Sequence, residues 1–105
     1  MKLFSGTSNI EFSTLVAKHL GYPLADASIT RFKDGEVKIN IDENVRGEEC
    51  FIIQSTSRSI CDEDSAPFCR SVNDNLMELF ILTDAIKRGS AKSVNLVIPY
   101  YGYQR

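Results

Sequence analysis

Val37, Ile39 and Ile41 alternate with Lys38, Asn40 and Asp42 after Glu36. A period of two marks a strand with one buried face. Its partner is expected over Leu24 to Thr30, joined through Arg31 to Gly35, where Asp34-Gly35 favours a tight hairpin turn. Two other stretches repeat at helical spacing. Phe12, Leu15, Val16 and Leu20 follow Ser8-x-x-Glu11, the spacing of a capping box, and Gly21 with Pro23 supplies a stop. Leu76, Leu79, Phe80, Thr83 and Ile86 follow Asn75-x-x-Glu78 and run to Gly89, with Asp84 and Arg88 able to pair one turn apart. Lys2 to Phe4 is a short apolar opening, Cys50 to Gln54 a continuous β-prone run suited to a strand covered on both faces, and Val94 to Ile98 a last strand stopped by Pro99.

The order strand, helix, hairpin, strand, helix, strand predicts an α/β sheet with helices on its faces. Ligands of such sheets bind outside the carboxyl ends of the strands, here SGTS, QSTS and PYYGYQR. The chain has 105 residues, enough for one small domain, and 43% hydrophobic with 25% charged residues is ordinary globular composition. A net charge of -2 without runs of like charge gives no nucleic-acid or membrane-surface footprint. The opening LFSGTSNIEF lacks the apolar centre of a signal peptide, and no stretch is long enough to span a bilayer, so a cytoplasmic protein is expected. Cys50, Cys61 and Cys69 are an odd count, read as reduced thiols: Cys50 as a small buried hydrophobe, Cys61 and Cys69 as loop residues without zinc-site spacing. His19 reads as a partly exposed helix residue, with no triad partner nearby.

The ordered strings FSGTSN, RFKDGE, ENVRG, FIIQSTS, NDNLMEL and IPYYGYQR resemble those of the ribose-phosphate diphosphokinases across nearly the whole chain. The resemblance implies a type I phosphoribosyltransferase-like fold, α/β with a mostly parallel sheet flanked by helices and a protruding β-hairpin. It implies transfer of diphosphate from ATP to ribose 5-phosphate with Mg²⁺, in a homo-oligomer. Residues 1–105 would be the incomplete first of two similar domains, interrupted by an insertion at 58–72 whose Asp62, Glu63 and Asp64 read as a solvated loop. The Mg²⁺ ligands, the ribose 5-phosphate site and the flexible catalytic loop would lie outside this chain, which is therefore expected to be inactive alone. Apolar surface at the end of the last strand is expected to remain exposed.

Within RFKDGE, Phe32 offers a face for stacking, and Asp34 and Glu36 offer acceptors for an adenine amino group or ribose hydroxyls. The alternative is a well-formed turn with Phe32 in the core. The resemblance implies that this hairpin contacts the ATP base in a neighbouring subunit. It also implies ATP contact by Arg105, whose guanidinium suits phosphate oxygens but which is otherwise a solvated terminal residue. Arg46 and Ser90 match a regulatory anion site of the family, and Asn44 stands where many relatives carry Ser, which removes a hydroxyl donor. The turn Ser5 to Ser8, ahead of a helix, offers backbone N–H groups to an anion but lacks a fuller phosphate-loop pattern. Two rivals stand beside the enzyme reading: a non-catalytic assembly or regulatory module that binds synthetase subunits, and a phosphoribosyltransferase of the same fold.

Overall fold

The structure is a computed structural model and describes residues 1–58 and 71–100. The chain runs β1 (Lys2–Ser5), α1 (Ile10–Leu20), β2 (Ala27–Arg31), β3 (Val37–Ile41), β4 (Glu49–Ile53), α2 (Val72–Arg88) and β5 (Ser93–Val97). β1, β4 and β5 form a parallel sheet in the order β1-β4-β5, with Phe4 opposite Ile52 and Ile52 opposite Leu96. β2 and β3 form a separate antiparallel ribbon, Ile29 opposite Ile39 and Arg31 opposite Val37. The expected α/β architecture with a hairpin is therefore present. The central position of β4 explains its unbroken apolar run, because both faces of that strand are covered.

One core lies between the sheet, α2 and the ribbon. Phe4, Cys50, Ile52, Leu79, Leu82 and Ile86 are buried there, and Ile29, Ile39 and Ile41 pack against them from the ribbon. The alternating side of β3 thus faces α2. Burial of each large side chain in this cluster stabilises the fold by about 1.5–3 kcal/mol. Cys50 takes its expected place as a buried hydrophobe, and burial pushes its thiol pKa up. A second, smaller core joins Leu3, Ala17 and Ile53 between the sheet and α1.

Both helices depart from the expected faces. On α1 the buried residues are Ser13 and Ala17, whereas Phe12, Leu15 and Leu20 are exposed and Val16 is half-buried. Small side chains bring α1 close to the sheet, where Ser5 Oγ donates to Ser13 Oγ at 2.7 Å. The cap also sits one residue later than expected: Asn9, not Ser8, accepts from the Phe12 N–H at 3.1 Å. Gly21 ends the helix as expected, in the left-handed region at φ 73, where a residue without Cβ is favoured. His19 is exposed in the last turn.

α2 begins four residues before the expected start, which has Asn75 as its cap. Ser71 is its N-cap, in a reciprocal capping box with Asp74. The buried line is Asn75, Glu78, Leu79, Leu82 and Ile86, and Phe80 is exposed, so the stripe is rotated from the expected one. Arg88 and Asp84 do pair, at 2.9 Å. Gly89 closes the helix with an ordinary φ of -74, but a Cβ there would lie 2.5 Å from Val45 Cγ2. Among the described residues β5 is an edge strand, and Leu96 and Val97 at its end are exposed. Among the described residues no helix is long and apolar enough to cross a membrane.

Candidate functional site

The three parallel strands end side by side. Beyond β1 the Gly6 N–H donates to Ile53 O at 3.0 Å, and beyond β4 the N–H groups of Gln54 and Thr56 donate to the carbonyls of Val97 and Tyr100 at 3.1 and 3.0 Å. These bonds extend the sheet into the turns SGTS and QSTS and into Pro99-Tyr100, so the described parts of the three segments picked out by the topology do converge. The carboxylate of Glu78 lies among them, 1% exposed.

Four donors converge on that carboxylate. Its Oε2 accepts from Thr7 N at 2.8 Å and from Gln54 Nε2 at 2.6 Å; its Oε1 accepts from Thr7 Oγ1 at 2.7 Å and from Arg31 Nη2 at 3.5 Å. Four donors match the acceptor capacity of an ionised carboxylate, which is what allows a charge to be buried. Gln54, also 1% exposed, is used at both ends of its amide: Nε2 serves Glu78 and the Asn75 carbonyl, while Oε1 accepts from Ser8 N and Ser8 Oγ at 3.2 and 2.8 Å. Gly6 is required by this packing, since a Cβ there would lie 2.0 Å from Gln54 Oε1. Asn75 Nδ2 donates to Ser57 O at 2.6 Å, which ties α2 to the QSTS turn.

The anion reading of the Ser5 to Ser8 turn changes accordingly. Its Thr7 and Ser8 N–H groups do meet acceptors, but these are the carboxylate of Glu78 and the amide oxygen of Gln54. The turn holds an anion of the protein itself. Thr7 and Gln54 fall within the SGTS and QSTS segments picked out in the sequence, but Glu78 and Arg31 were not site candidates, although a Glu on the same helical face as Leu79, Leu82 and Ile86 is the signal of an internal polar network.

Arg31 carries the network out to the hairpin. Its Nη1 donates to the carbonyl of Gly35 at 3.3 Å while its Nη2 reaches Glu78. The turn itself is closed by Phe32 N to Glu36 O at 2.8 Å and Gly35 N to Phe32 O at 2.9 Å, with Gly35 at φ 94. Asp34 Oδ1 accepts from the Glu36 N–H at 2.9 Å. Phe32 is 51% exposed, so it is no core residue, and the Glu36 carboxylate has no hydrogen-bond partner among the described residues. Phe32, Asp34 and Glu36 therefore sit together on one exposed tip.

Asn44, Arg46 and Ser90 are also neighbours in the fold. The Gly47 N–H donates to Ser90 O at 3.0 Å, and Asn44 Oδ1 accepts from the Arg46 N–H at 3.1 Å. Ser90 adopts a positive φ of 66 just after α2. Beside them a cleft of about 440 Å³ opens between β3 and the end of α2, lined in part by Asn40, Glu43, Asn44 and Arg88. Arg105, Cys61, Cys69 and the acidic residues 62–64 lie outside the described residues.

A family model described as the N-terminal domain of ribose phosphate pyrophosphokinase matches residues 1–105. The chain belongs to this family. The ribose-phosphate pyrophosphokinase of Campylobacter jejuni is 52% identical over 104 residues, covering 99% of this chain and 30% of that protein. The one from Fusobacterium nucleatum is 50% identical over 105 residues, covering 100% of this chain and 29% of its own length. Among solved structures, phosphoribosylpyrophosphate synthetase from Mycobacterium smegmatis superposes with a TM-score of 0.82 at 36% identity, covering 97% of this chain and 30% of that one. The chain thus spans about 30% of the length of the relatives it matches, and the match falls on their N-terminal domain. Among the described residues no group of three or more His, Cys, Asp or Glu side chains is arranged to hold a metal ion.

Proposed function

We infer that the chain supplies the nucleotide-contacting part of a ribose-phosphate pyrophosphokinase, in which diphosphate passes from ATP to ribose 5-phosphate. The observation that carries this reading is Phe32, an aromatic side chain 51% exposed at the tip of a hairpin whose turn is closed by its own backbone bonds. An exposed, rigidly mounted ring loses little freedom on stacking against a base, and the neighbouring Asp34 and Glu36 carboxylates supply acceptors for an exocyclic amine or ribose hydroxyls. Arg105 is assigned to the phosphate chain on the family pattern. Arg46 and Ser90, joined through Gly47, with Asn44 beside them, are assigned to a regulatory anion. The hairpin serves a neighbouring copy in a homo-oligomer of the cytoplasm, and ribose 5-phosphate and the metal are held by parts of the enzyme that this chain does not contain.

The test is calorimetric titration of ATP into the 105-residue chain and its Phe32→Ala variant, beside an assay of AMP release with ribose 5-phosphate and Mg²⁺. Weak ATP binding lost in Phe32→Ala, with thermal midpoint unchanged and no AMP formed, is the expected result. Absence of ATP binding by the unaltered chain would sink the hairpin assignment in favour of a non-catalytic assembly module. AMP formation would show that the chain needs no further segment for turnover.

A further inference from the structure

The geometry points to Glu78 and Arg31 as a clamp that sets the angle of the β2–β3 tip against the carboxyl ends of the parallel strands, making both positioning residues for Phe32, Asp34 and Glu36. The two sheets share no ladder, and the backbone bond that joins β1 to the ribbon, Ala25 N–H to Leu3 O at 2.7 Å beside the isolated bridge Leu3–Leu24, lies before β2 at the end away from the turn. Apolar packing of Ile29 from β2 and of Ile39 and Ile41 from β3 against the core holds the body of the ribbon, but it is non-directional and lies farther from the turn than the pair Arg31–Val37. At the turn end the polar link is Arg31, in the last ladder pair before the loop, opposite Val37.

The guanidinium does two things at once. Nη1 grips the carbonyl of Gly35, inside the turn that bears Asp34, and Nη2 reaches Oε1 of Glu78. Only a planar fork with several donors in fixed relation spans both acceptors and so transmits orientation as well as charge. Glu78 is in turn immobilised by Thr7 and Gln54, which belong to the turns after β1 and β4. The tip is therefore referenced through one buried carboxylate to both strand ends at which the ligands of such sheets bind.

An alternative role for Arg31 is simple neutralisation of a buried charge, since its side chain is only 13% exposed and it is the one cation paired with Glu78 among the described residues. The two roles separate in Arg31→Lys. An ammonium neutralises Glu78 but has a single point of contact, and cannot hold Gly35 O in the same geometry. Neutralisation predicts that Lys suffices; a clamp predicts that it does not.

The proposal rests on the nucleotide reading of the hairpin only for its purpose, and the experiment keeps the two apart. Residual dipolar couplings and amide hydrogen exchange are measured on the 105-residue chain, on Arg31→Lys and on Glu78→Gln, with ATP titrated into each. In Arg31→Lys the β1, β4 and β5 amides are expected to keep their exchange rates. The Phe32 and Gly35 amides should exchange at least tenfold faster, and the couplings of the tip should leave the frame that fits the sheet. Glu78→Gln should loosen the tip in the same way, and Arg31→Lys combined with it should loosen it no further. Tip exchange and couplings unchanged in Arg31→Lys would overturn the clamp, as would a further loosening in the combined variant. Should Arg31→Lys not fold, an unmoved tip in Glu78→Gln overturns it equally. A loosened tip with ATP affinity unaltered would leave the clamp standing and sink the nucleotide reading instead.

Discussion

Gly6→Ala is the substitution that the structure predicts to be most costly for its size. The backbone at Gly6 is not in the left-handed region, so a methyl group brings no conformational penalty there. What it meets is Gln54, with Oε1 at 2.0 Å, Cδ at 2.3 Å and Nε2 at 2.9 Å. Gln54 is 1% exposed and bonded at both ends of its amide to Ser8, Glu78 and the Asn75 carbonyl, so it cannot yield without unpairing them. Overpacking a tight interior costs about 1–3 kcal/mol. Leaving a buried polar group without its partner costs about 1–3 kcal/mol more, for a loss of about 2–6 kcal/mol in all. That is a large share of the roughly 5–15 kcal/mol by which a domain is stable. Urea unfolding at unchanged m measures it directly. Gly21→Ala provides the contrast: nothing lies within 4 Å of its Cβ, but its φ of 73 disfavours a side chain, and about 1–2 kcal/mol is expected. In a Gln54→Ala background the obstructing atoms are gone, and Gly6→Ala should be near neutral. A loss below about 1 kcal/mol, or an equal loss in both backgrounds, would refute the steric argument.

Two further outcomes can be measured on the same chain. Ser71→Ala removes the acceptor for the Asp74 N–H at 3.1 Å and should cost about 1 kcal/mol in a urea titration, placing the start of α2 at Ser71. Lys2 Nζ donates to Glu43 Oε1 at 3.0 Å, and Glu43 also accepts from the Asp26 N–H, which together draw the Glu43 carboxyl below its ordinary 4.5; the same pairing with Glu43 holds the Lys2 ammonium above its ordinary 10.5. The stability contributed by Glu43 is present above about pH 4.5 and fades as pH falls through its lowered folded value, while that of Lys2 is present below about 10.5 and fades as pH rises through its raised one. Both groups are solvent-accessible, so the effect is modest, and Glu43→Gln should flatten the acid limb of the urea midpoint against pH.

Much of the fold follows from periodicity. The alternation Val37, Ile39, Ile41 needs one buried face, and α2 provides it. The run from Cys50 to Ile53 needs two covered faces, which only the central place in β1-β4-β5 gives. The exposed tip was legible in part: Asp34-Gly35 fixes the turn, but spacing alone could not decide whether Phe32 points into the core or out of it. On α1 the larger apolar residues suggested the buried face, whereas packing against the sheet selected the smaller ones, Ser13 and Ala17, because the Ser5–Ser13 contact sets a close approach. Bulk is a weak guide where backbones come near one another.

The two displaced helix caps have a common cause. Ser8 with Glu11 and Asn75 with Glu78 have the spacing of capping boxes, and a local reading places helix starts at both. In the fold Ser8 Oγ is taken by Gln54, 46 positions away, and Glu78 by Thr7, 71 positions away, while Asn75 Nδ2 serves the carbonyl of Ser57. Capping then falls to Asn9 and Ser71, side chains of the same chemistry that long-range partners leave free. The Ser8 hydroxyl is oriented to donate to the Gln54 oxygen and the lone pairs of Glu78 already accept from Thr7 and Gln54, and a buried long-range partner with no access to water has more to lose than a helix end that solvent can satisfy. The residues that mislead local reasoning are therefore the ones recruited to hold SGTS, QSTS, α2 and the hairpin together. Departures from local rules are expected where function or strain outweighs propensity, and here they converge on a single carboxylate, Glu78.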